Sequence, residues 1–395
     1  MLNNNDPVLI HHLAPRNFLS FGPENPGIEL KSLNLLIGPN GSGKSNLFEA
    51  VGFLRSAPKE LRDVTRKGGG VAEWIWKGQP SEPASVEWCV NYPKNPIALR
   101  HSISFREISQ SFALDDERVE ERTPRSAREE DAYFYYRYQH GIPVINSGKA
   151  KRNLARDTVE PDRSILAQRR DPEMYPELSW LAQSYEKIRI YREWVFGRNA
   201  VFREPQRADV RNDFLEEDFS NLGVFLSRLK TRFPAAKRAI LKGLQDLYAG
   251  IDDFEVFANS GTVQVFFTEG DFAIPATRLS DGTLRYLCLL AILCDPEPPP
   301  LICIEEPELG LHPDVLPTLA GLLRTAAKHT QLIVTTHSDI LVDAMTDTPE
   351  NVVVCSKNEG QTTMERLNPV ALKDWLEKYR LGDLWIKGEI GGTRW

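Results

Sequence analysis

Eight consecutive residues carry the strongest chemical signal in the chain: Gly38-Pro39-Asn40-Gly41-Ser42-Gly43-Lys44-Ser45, which fits GxxxxGK[ST]. Glycines at these intervals let successive backbone N–H groups curl around a phosphate, and a helix that follows adds the positive end of its dipole. Asn40, Gly41, Ser42 and Gly43 form the expected cradle. Lys44 is expected to reach the β and γ phosphates, and the Ser45 hydroxyl is the donor expected to meet Mg2+. The predicted ligand is therefore ATP with Mg2+.

Three further segments suit the same ligand. Leu301-Ile302-Cys303-Ile304-Glu305-Glu306-Pro307 is an apolar run ending in two carboxylates. In an open parallel sheet ligands sit beyond the carboxyl ends of the strands, where Glu305 would hold the metal's hydration shell and Glu306 would polarise the attacking water. Leu279-Ser280-Asp281-Gly282-Thr283 precedes an amphipathic stretch through Leu284, Leu287, Leu290 and Leu293. Ser280 suits the cap of that helix, and Gly282 lets a phosphate approach its N-terminal amides. Finally, Thr336-His337-Ser338 closes another apolar run and puts His337 at the same edge, as a site residue or as an ordinary structural histidine.

The elements that must position these groups follow from periodicity. Short apolar runs at Val8–Ile10, Phe18–Phe21, Ile28–Leu30 and Leu33–Ile37 predict several strands, the last of them buried, and Leu47, Phe48, Val51 and Leu54 predict a helix opening near Lys44. Alternation at Val86, Trp88 and Val90, then Ile103 and Phe105, predicts further strands. Residues 115–131, crowded with acids and containing Pro124, read as an exposed loop. The middle of the chain carries helical spacings, Leu222, Phe225, Leu226 and Leu229 followed by Ile240, Leu241, Leu244 and Leu247. After residue 254 strands return, and from 283 to 336 helix and strand alternate, which implies βαβ units and a mostly parallel sheet.

Composition bounds the rest. The 395 residues are 26% charged and 41% hydrophobic, which is globular composition. Lysine plus arginine number 48 against 55 acids, a net charge of −7, so a chain-wide basic field for nucleic acid is absent. The longest apolar run, Leu287 to Cys294, is far short of a membrane span, and the N-terminal stretch lacks the pattern of a secretory signal. Five scattered cysteines suit reduced thiols in a cytoplasmic protein, and the seven histidines show no zinc spacing, so no structural metal is expected.

Taken in order, the four motifs resemble those of the ATP-binding-cassette ATPases, whose LSGGQ-like signature, acidic strand and switch histidine stand at such intervals. The LSDGT signature, the Glu-Glu ending and the following PELGLHP look less like transporter cassettes than like the RecF, SMC and overcoming-lysogenization-defect (OLD) group of P-loop AAA-family ATPases. Asn17-Phe18-Leu19-Ser20-Phe21 is similar to the strand these proteins carry before the loop. The resemblance covers roughly 1–55 and 270–345.

It implies an α/β P-loop head, mostly parallel with an antiparallel β portion, and an inserted helical lobe. Residues 1–130 would form the first part of the head, 131–250 the lobe, and 251–395 the rest of the head and a tail. It also implies two copies facing each other around ATP, with Ser280 and Gly282 of one closing on the γ-phosphate held by Lys44 of the other. Glu305 would position Mg2+, directly or through water, Glu306 would be the general base, and His337 would sense the γ-phosphate. A glutamine that contacts metal and water is also implied; Gln168 is the candidate, with Gln139 and Gln183 competing. The segment after His337 is too short for the TOPRIM nuclease domain of OLD proteins, so the expectation is an ATPase that drives a separately encoded effector, in the manner of short bacterial anti-phage ATPases. The alternative is a RecF-like DNA clamp that uses Lys149, Lys151, Arg152, Arg156, Arg163, Arg169 and Arg170. The tail from Leu381 reads equally as frayed or as a docking segment.

Overall fold

The computed structural model describes residues 7–126, 128–139, 141–146, 151–154 and 159–391. The chain divides into two compact units. Unit 1 comprises Met1–Ile188, Glu350–Asn368 and Ile390–Trp395, and unit 2 comprises Arg189–Pro349 and Pro369–Glu389.

Unit 1 begins with β1 (Ile10–Arg16), β2 (Ile28–Glu29) and β3 (Leu33–Ile37). Helices α1 (Lys44–Ser56), α2 (Leu61–Lys67) and the one-turn α3 (Val71–Trp74) follow. Next come β4 (Ala84–Val90), β5 (Leu99–Ile108), β6 (Ser111–Glu121), β7 (Phe134–Gln139), β8 (Ile142–Asn146) and β9 (Lys151–Asn153). Helices α4 (Ile165–Gln168) and α5 (Pro176–Glu186) close the segment. The eight-stranded sheet runs β2-β1-β4-β5-β6-β7-β8-β9 and every pairing in it is antiparallel. The alternation Val86, Trp88, Val90 places one face in the core, where Phe53 of α1 stacks 6.3 Å from Trp88 and lies tilted 5.2 Å from Phe105.

Two expectations fail here. The acidic stretch from 115 is not an exposed loop: up to Glu121 it is strand β6, and Glu117, Glu120 and Glu121 are buried. Each acid has partners that offset its desolvation. Glu117 accepts from Ser164 Oγ and the Ile165 amide and pairs with His101, Glu120 pairs with Arg100 and Arg137, and Glu121 pairs with Arg125. Asn17-Phe18-Leu19-Ser20-Phe21 is a tight turn rather than a strand. Asn17 and Leu19 have φ of 50° and 52°, Phe18 bridges Phe21, and both phenylalanines are buried.

Unit 2 opens with β10 (Arg189–Tyr191) and β11 (Gln206–Arg207), then α6 (Leu222–Arg232) and α7 (Pro234–Leu247). The helical spacings of 222–247 are thus realised. Strands β12 (Asp253–Asn259), β13 (Thr262–Glu269) and β14 (Phe272–Pro275) form an antiparallel sheet with β11. Then α8 (Asp281–Leu293), β15 (Leu301–Glu305), α9 (Leu316–Ala326), β16 (Gln331–Thr335) and α10 (Asp339–Asp343) alternate. β15 pairs in parallel with both β10 and β16. The apolar runs 301–304 of β15 and 332–334 of β16 are buried, as strands of a parallel sheet are.

The chain returns to unit 1 with β17 (Val352–Asn358), parallel to β3, and β18 (Gln361–Arg366), antiparallel to β17. Helices α11 (Pro369–Leu376) and α12 (Leu381–Ile386) belong to unit 2. Leu381 and Leu384 of the tail are fully buried, so this part of it is docked; residues 392–395 lie outside the described residues.

The expected boundaries shift accordingly. Phe134–Gln139, Ile142–Asn146 and Lys151–Asn153 are strands of the unit 1 sheet rather than the start of a helical lobe at 131, and the division between the units falls after Ile188. Tyrosine-rich β7 had no period-3.6 pattern to support the lobe.

Candidate nucleotide site

In unit 1, all five residues of β3 are buried, and the chain leaves it into the glycine loop. Gly38, Gly41 and Gly43 have φ of 146°, 80° and 96°, conformations that turn backbone amides inward and that L side chains resist. A Cβ on Gly38 would stand 2.2 Å from the Cys355 carbonyl of β17. Lys44, the first residue of α1, is buried, and its Nζ donates to the carbonyls of Gly38 at 2.7 Å and Pro39 at 3.1 Å. The ammonium thus sits over its own loop. Asn40 and Ser45 are exposed, while the Ser42 hydroxyl is buried with no protein partner. Inward amides, an ammonium and an orphaned hydroxyl fit the phosphates of a nucleotide.

Residues far away in sequence brace this loop. Thr362 of β18 donates its hydroxyl to the Ser42 carbonyl at 3.0 Å and lies 2.6 Å from Ser20 Oγ, which also accepts from Asn46 Nδ2 at 2.6 Å. The Ser20 turn therefore acts as a bracket for the loop, a role its sequence alone does not reveal.

In unit 2, the carboxyl ends of β15 and β16 bring acids and a histidine together. Glu305 Oε2 accepts from Arg192 Nε at 3.3 Å, and its carbonyl accepts from Trp194 Nε1 at 2.7 Å. Glu306 has φ of 45°, a left-handed conformation that costs a non-glycine residue about 1–3 kcal/mol. Its amide is held by Thr335 of β16 and its carbonyl by Arg285 of α8, at 3.0 Å. Strain held from two sides directs the Glu306 carboxylate to within 3.5 Å of His337 Nε2. Burial lowers the Arg285 guanidinium to about 10, against the pull of the Glu308 and Glu306 carboxylates, and its charge lies 4.5 Å from the centre of the Trp194 ring.

Glu308 was not among the expected site residues. Its Oε1 accepts from Thr336 Oγ1 and from the His337 amide, both at 2.7 Å, and its Oε2 is shut off from solvent without a partner. Burial raises its carboxyl above the ordinary range; bonds from His337 and Thr336 oppose that and Glu306 adds to it. The sequence signal was a third acid two residues after Glu306, in PELGLHP.

Ser280 caps α8 as expected, accepting from the Thr283 amide at 3.1 Å. Buried Arg203 holds the approach to that cap, donating to the Ala276 and Leu279 carbonyls at 3.1 and 2.7 Å and pairing with Asp281. Gly282 leaves no room for a larger residue without adjustment, since a Cβ there would lie 3.0 Å from the Gly310 carbonyl.

Gln168 departs from its expected part. Its Nε2 donates to the carbonyls of Glu160, Arg163 and Ser164 and its Oε1 accepts from the Glu160 amide at 2.8 Å, so the oxygen a metal would need closes a local turn. Of its competitors, Gln139 ends β7 and Gln183 is exposed on α5.

Residues 33–343 match the family described as AAA domain, putative AbiEii toxin, Type IV TA system. The chain belongs to this AAA family. It is a P-loop ATPase. Among solved structures, an SMC head bound to the C-terminal winged-helix domain of ScpA matches at 16% identity and a TM-score of 0.56, over 92% of this chain and 99% of that one. A Pyrococcus furiosus Smc head with an extended coiled coil, bound to the C-terminal domain of ScpA, matches at 15% identity and 0.54, over 94% and 99%. These likenesses show the fold of this AAA-family chain to be that of an SMC-type ABC ATPase head. No curated protein sequence matches it. Among its described residues, no helix is long and apolar enough to cross a membrane.

Proposed function

We propose that this chain hydrolyses ATP through a head that closes on a second copy of itself, and that closure switches a separately encoded effector. The observation that carries the reading is Glu306, a carboxylate kept in a costly backbone conformation beside His337, at the carboxyl ends of two paired parallel strands. Lys44 and the amides of 40–45 bind the β and γ phosphates. Glu306 takes the proton of the attacking water, and His337, held through its amide by Glu308, senses the γ-phosphate. Ser45 and Glu305 are the residues to hold Mg2+, which when bound supplies positive charge to the phosphates. The Arg192 contact of Glu305 supports a water-mediated metal contact, since the guanidinium already takes part of that carboxylate. Ser280 and Gly282 close on the nucleotide of the second copy.

The family's description supports a place for this chain in a toxin–antitoxin system; the anti-phage role and a cytoplasmic location belong to the proposal through the resemblance to short bacterial anti-phage ATPases. The DNA-clamp alternative has weaker support. Arg163 is paired with Glu60 and Glu160 and Arg170 with Glu186, while Lys149 and Arg156 lie outside the described residues, as do the side chains of Lys151 and Arg152.

The test is the solution mass of Glu306→Gln with and without Mg-ATP, together with ATP turnover. Glu306→Gln should bind ATP, lose hydrolysis and gain mass with nucleotide, and Ser280→Arg should abolish the gain. Undiminished turnover in Glu306→Gln would refute its assignment as base.

A further inference from the structure

Away from the nucleotide loop, the antiparallel sheet of unit 1 gathers a nitrogen, a sulfur and a carboxylate. The ligand-capable atoms of His12, Glu87 and Cys89 all lie within 4.8 Å of one another. The backbone shows how they meet. His12 of β1 pairs directly with Cys89 of β4, and Ala14 pairs with Glu87. Positions directly opposite, and two apart on one strand, share a face, so all three side chains emerge opposite Trp88, which fills the core. The register shift in β1 between Ile10 and His12 is what brings the histidine onto this face.

His12 and Glu87 are poised to meet a cation. His12 Nε2 lies 3.0 Å from the Pro26 carbonyl, so in the tautomer that donates there Nδ1 keeps its lone pair. Imidazoles bound to metal usually have their second nitrogen fixed in this way. Glu87 has only a long contact to Arg100, 3.9 Å, because that guanidinium is committed to Glu120. Arg122, which also faces Cys89, pairs with Glu29 at 3.2 Å. The charges around the thiol are thus two arginines and two glutamates, and they balance. Cys89 itself is buried, which pushes its thiol up to about 11.

We propose that His12, Glu87 and Cys89 form a zinc site, with water in the fourth position. One nitrogen, one thiolate and one carboxylate are the donor set of a tetrahedral Zn2+, whereas Mg2+ and Ca2+ take oxygen alone. Binding displaces the thiol proton, so affinity falls as pH is lowered. The site fastens β1 to β4 at the edge of the sheet that also carries β2. No spacing rule discloses it, because its ligands come from strands that lie far apart in sequence.

The full-length chain, stripped with a chelator and free of nucleotide, is titrated with Zn2+ against a chromophoric competitor, and separately with Co2+. One Zn2+ per chain is expected, with a Co2+ thiolate charge-transfer band and tetrahedral d–d bands. Loss of a second-shell partner alone costs about 10–100-fold in affinity, so Cys89→Ser and His12→Gln should each weaken binding by at least about 100-fold. His12 is only half-buried, and its variant should melt at the metal-free wild-type temperature but gain nothing from Zn2+. Absence of zinc binding, a cobalt spectrum without the thiolate band, or wild-type affinity in a folded His12→Gln protein overturns the proposal.

Discussion

Replacing Gly43 by alanine tests how the phosphate loop is held. At φ of 96° an L side chain costs about 1–2 kcal/mol from backbone sterics alone. A Cβ at this position would stand 2.0 Å from Thr362 Oγ1, 2.7 Å from its Cγ2 and 2.9 Å from Ser20 Oγ. Forcing these apart adds overpacking of about 1–3 kcal/mol, so Gly43→Ala should lose about 2–5 kcal/mol. Thr362→Ala removes the two nearest of these atoms and leaves Ser20 Oγ, at a cost of about 1–3 kcal/mol because the Ser42 carbonyl loses its donor. The double variant should therefore be less destabilised than the sum of the singles by the Thr362 share of the steric part, at most about 1–3 kcal/mol, while the Ser20 contact and the φ penalty stay. Urea unfolding of the three variants and the wild type gives the cycle. A wild-type midpoint for Gly43→Ala, or additivity within about 0.5 kcal/mol, would show that β18 does not press on the loop.

Ser280→Gly should cost only a few tenths of a kcal/mol against about 1 kcal/mol for Ser280→Ala, since glycine still caps a helix tolerably; equal melting losses would refute the cap. Both should lose ATP-dependent association if Ser280 acts on the second copy's nucleotide. Arg203→Ala strands the Ala276 and Leu279 carbonyls, and should destabilise by about 2–4 kcal/mol in thermal or urea unfolding; a loss below about 0.5 kcal/mol would refute its bracing part. The raised carboxyl of Glu308 keeps its proton to higher pH in the native state than the unfolded value of 4.5. Its contribution is full below that pH and is lost as pH rises through the native pKa, so Glu308→Gln should gain on the wild type from pH 4.5 towards neutrality. Parallel stability curves for the two proteins would contradict this.

Most of what the nucleotide chemistry needs lies in contiguous residues, and that much was legible. Gly38 to Ser45, Leu301 to Glu306 and Ser280 to Leu293 announce loop, strand and helix because turn conformation, capping and burial period depend on neighbours along the chain. The reach of local pattern ends where a side chain's partner comes from another element. The charge density of β6 suggested solvent, yet Glu117, Glu120 and Glu121 are buried because arginines, a histidine and a helix N-terminus meet them across strands. Gln168 had a suitable type, but its amide is consumed by a turn that only the folded loop creates. Phe134–Gln139 and Ile142–Asn146 became strands on the edge that β6 offered, and the aromatic run Phe134-Tyr135-Tyr136 was the local signal that pointed to one. Residue type and spacing thus determined the phosphate loop, the acidic strand and the capped helix. Strand pairing decided that Thr362 braces the loop, that Glu308 holds His337, and that His12 faces Cys89, because hydrogen-bonded register places residues side by side whatever their separation in the chain.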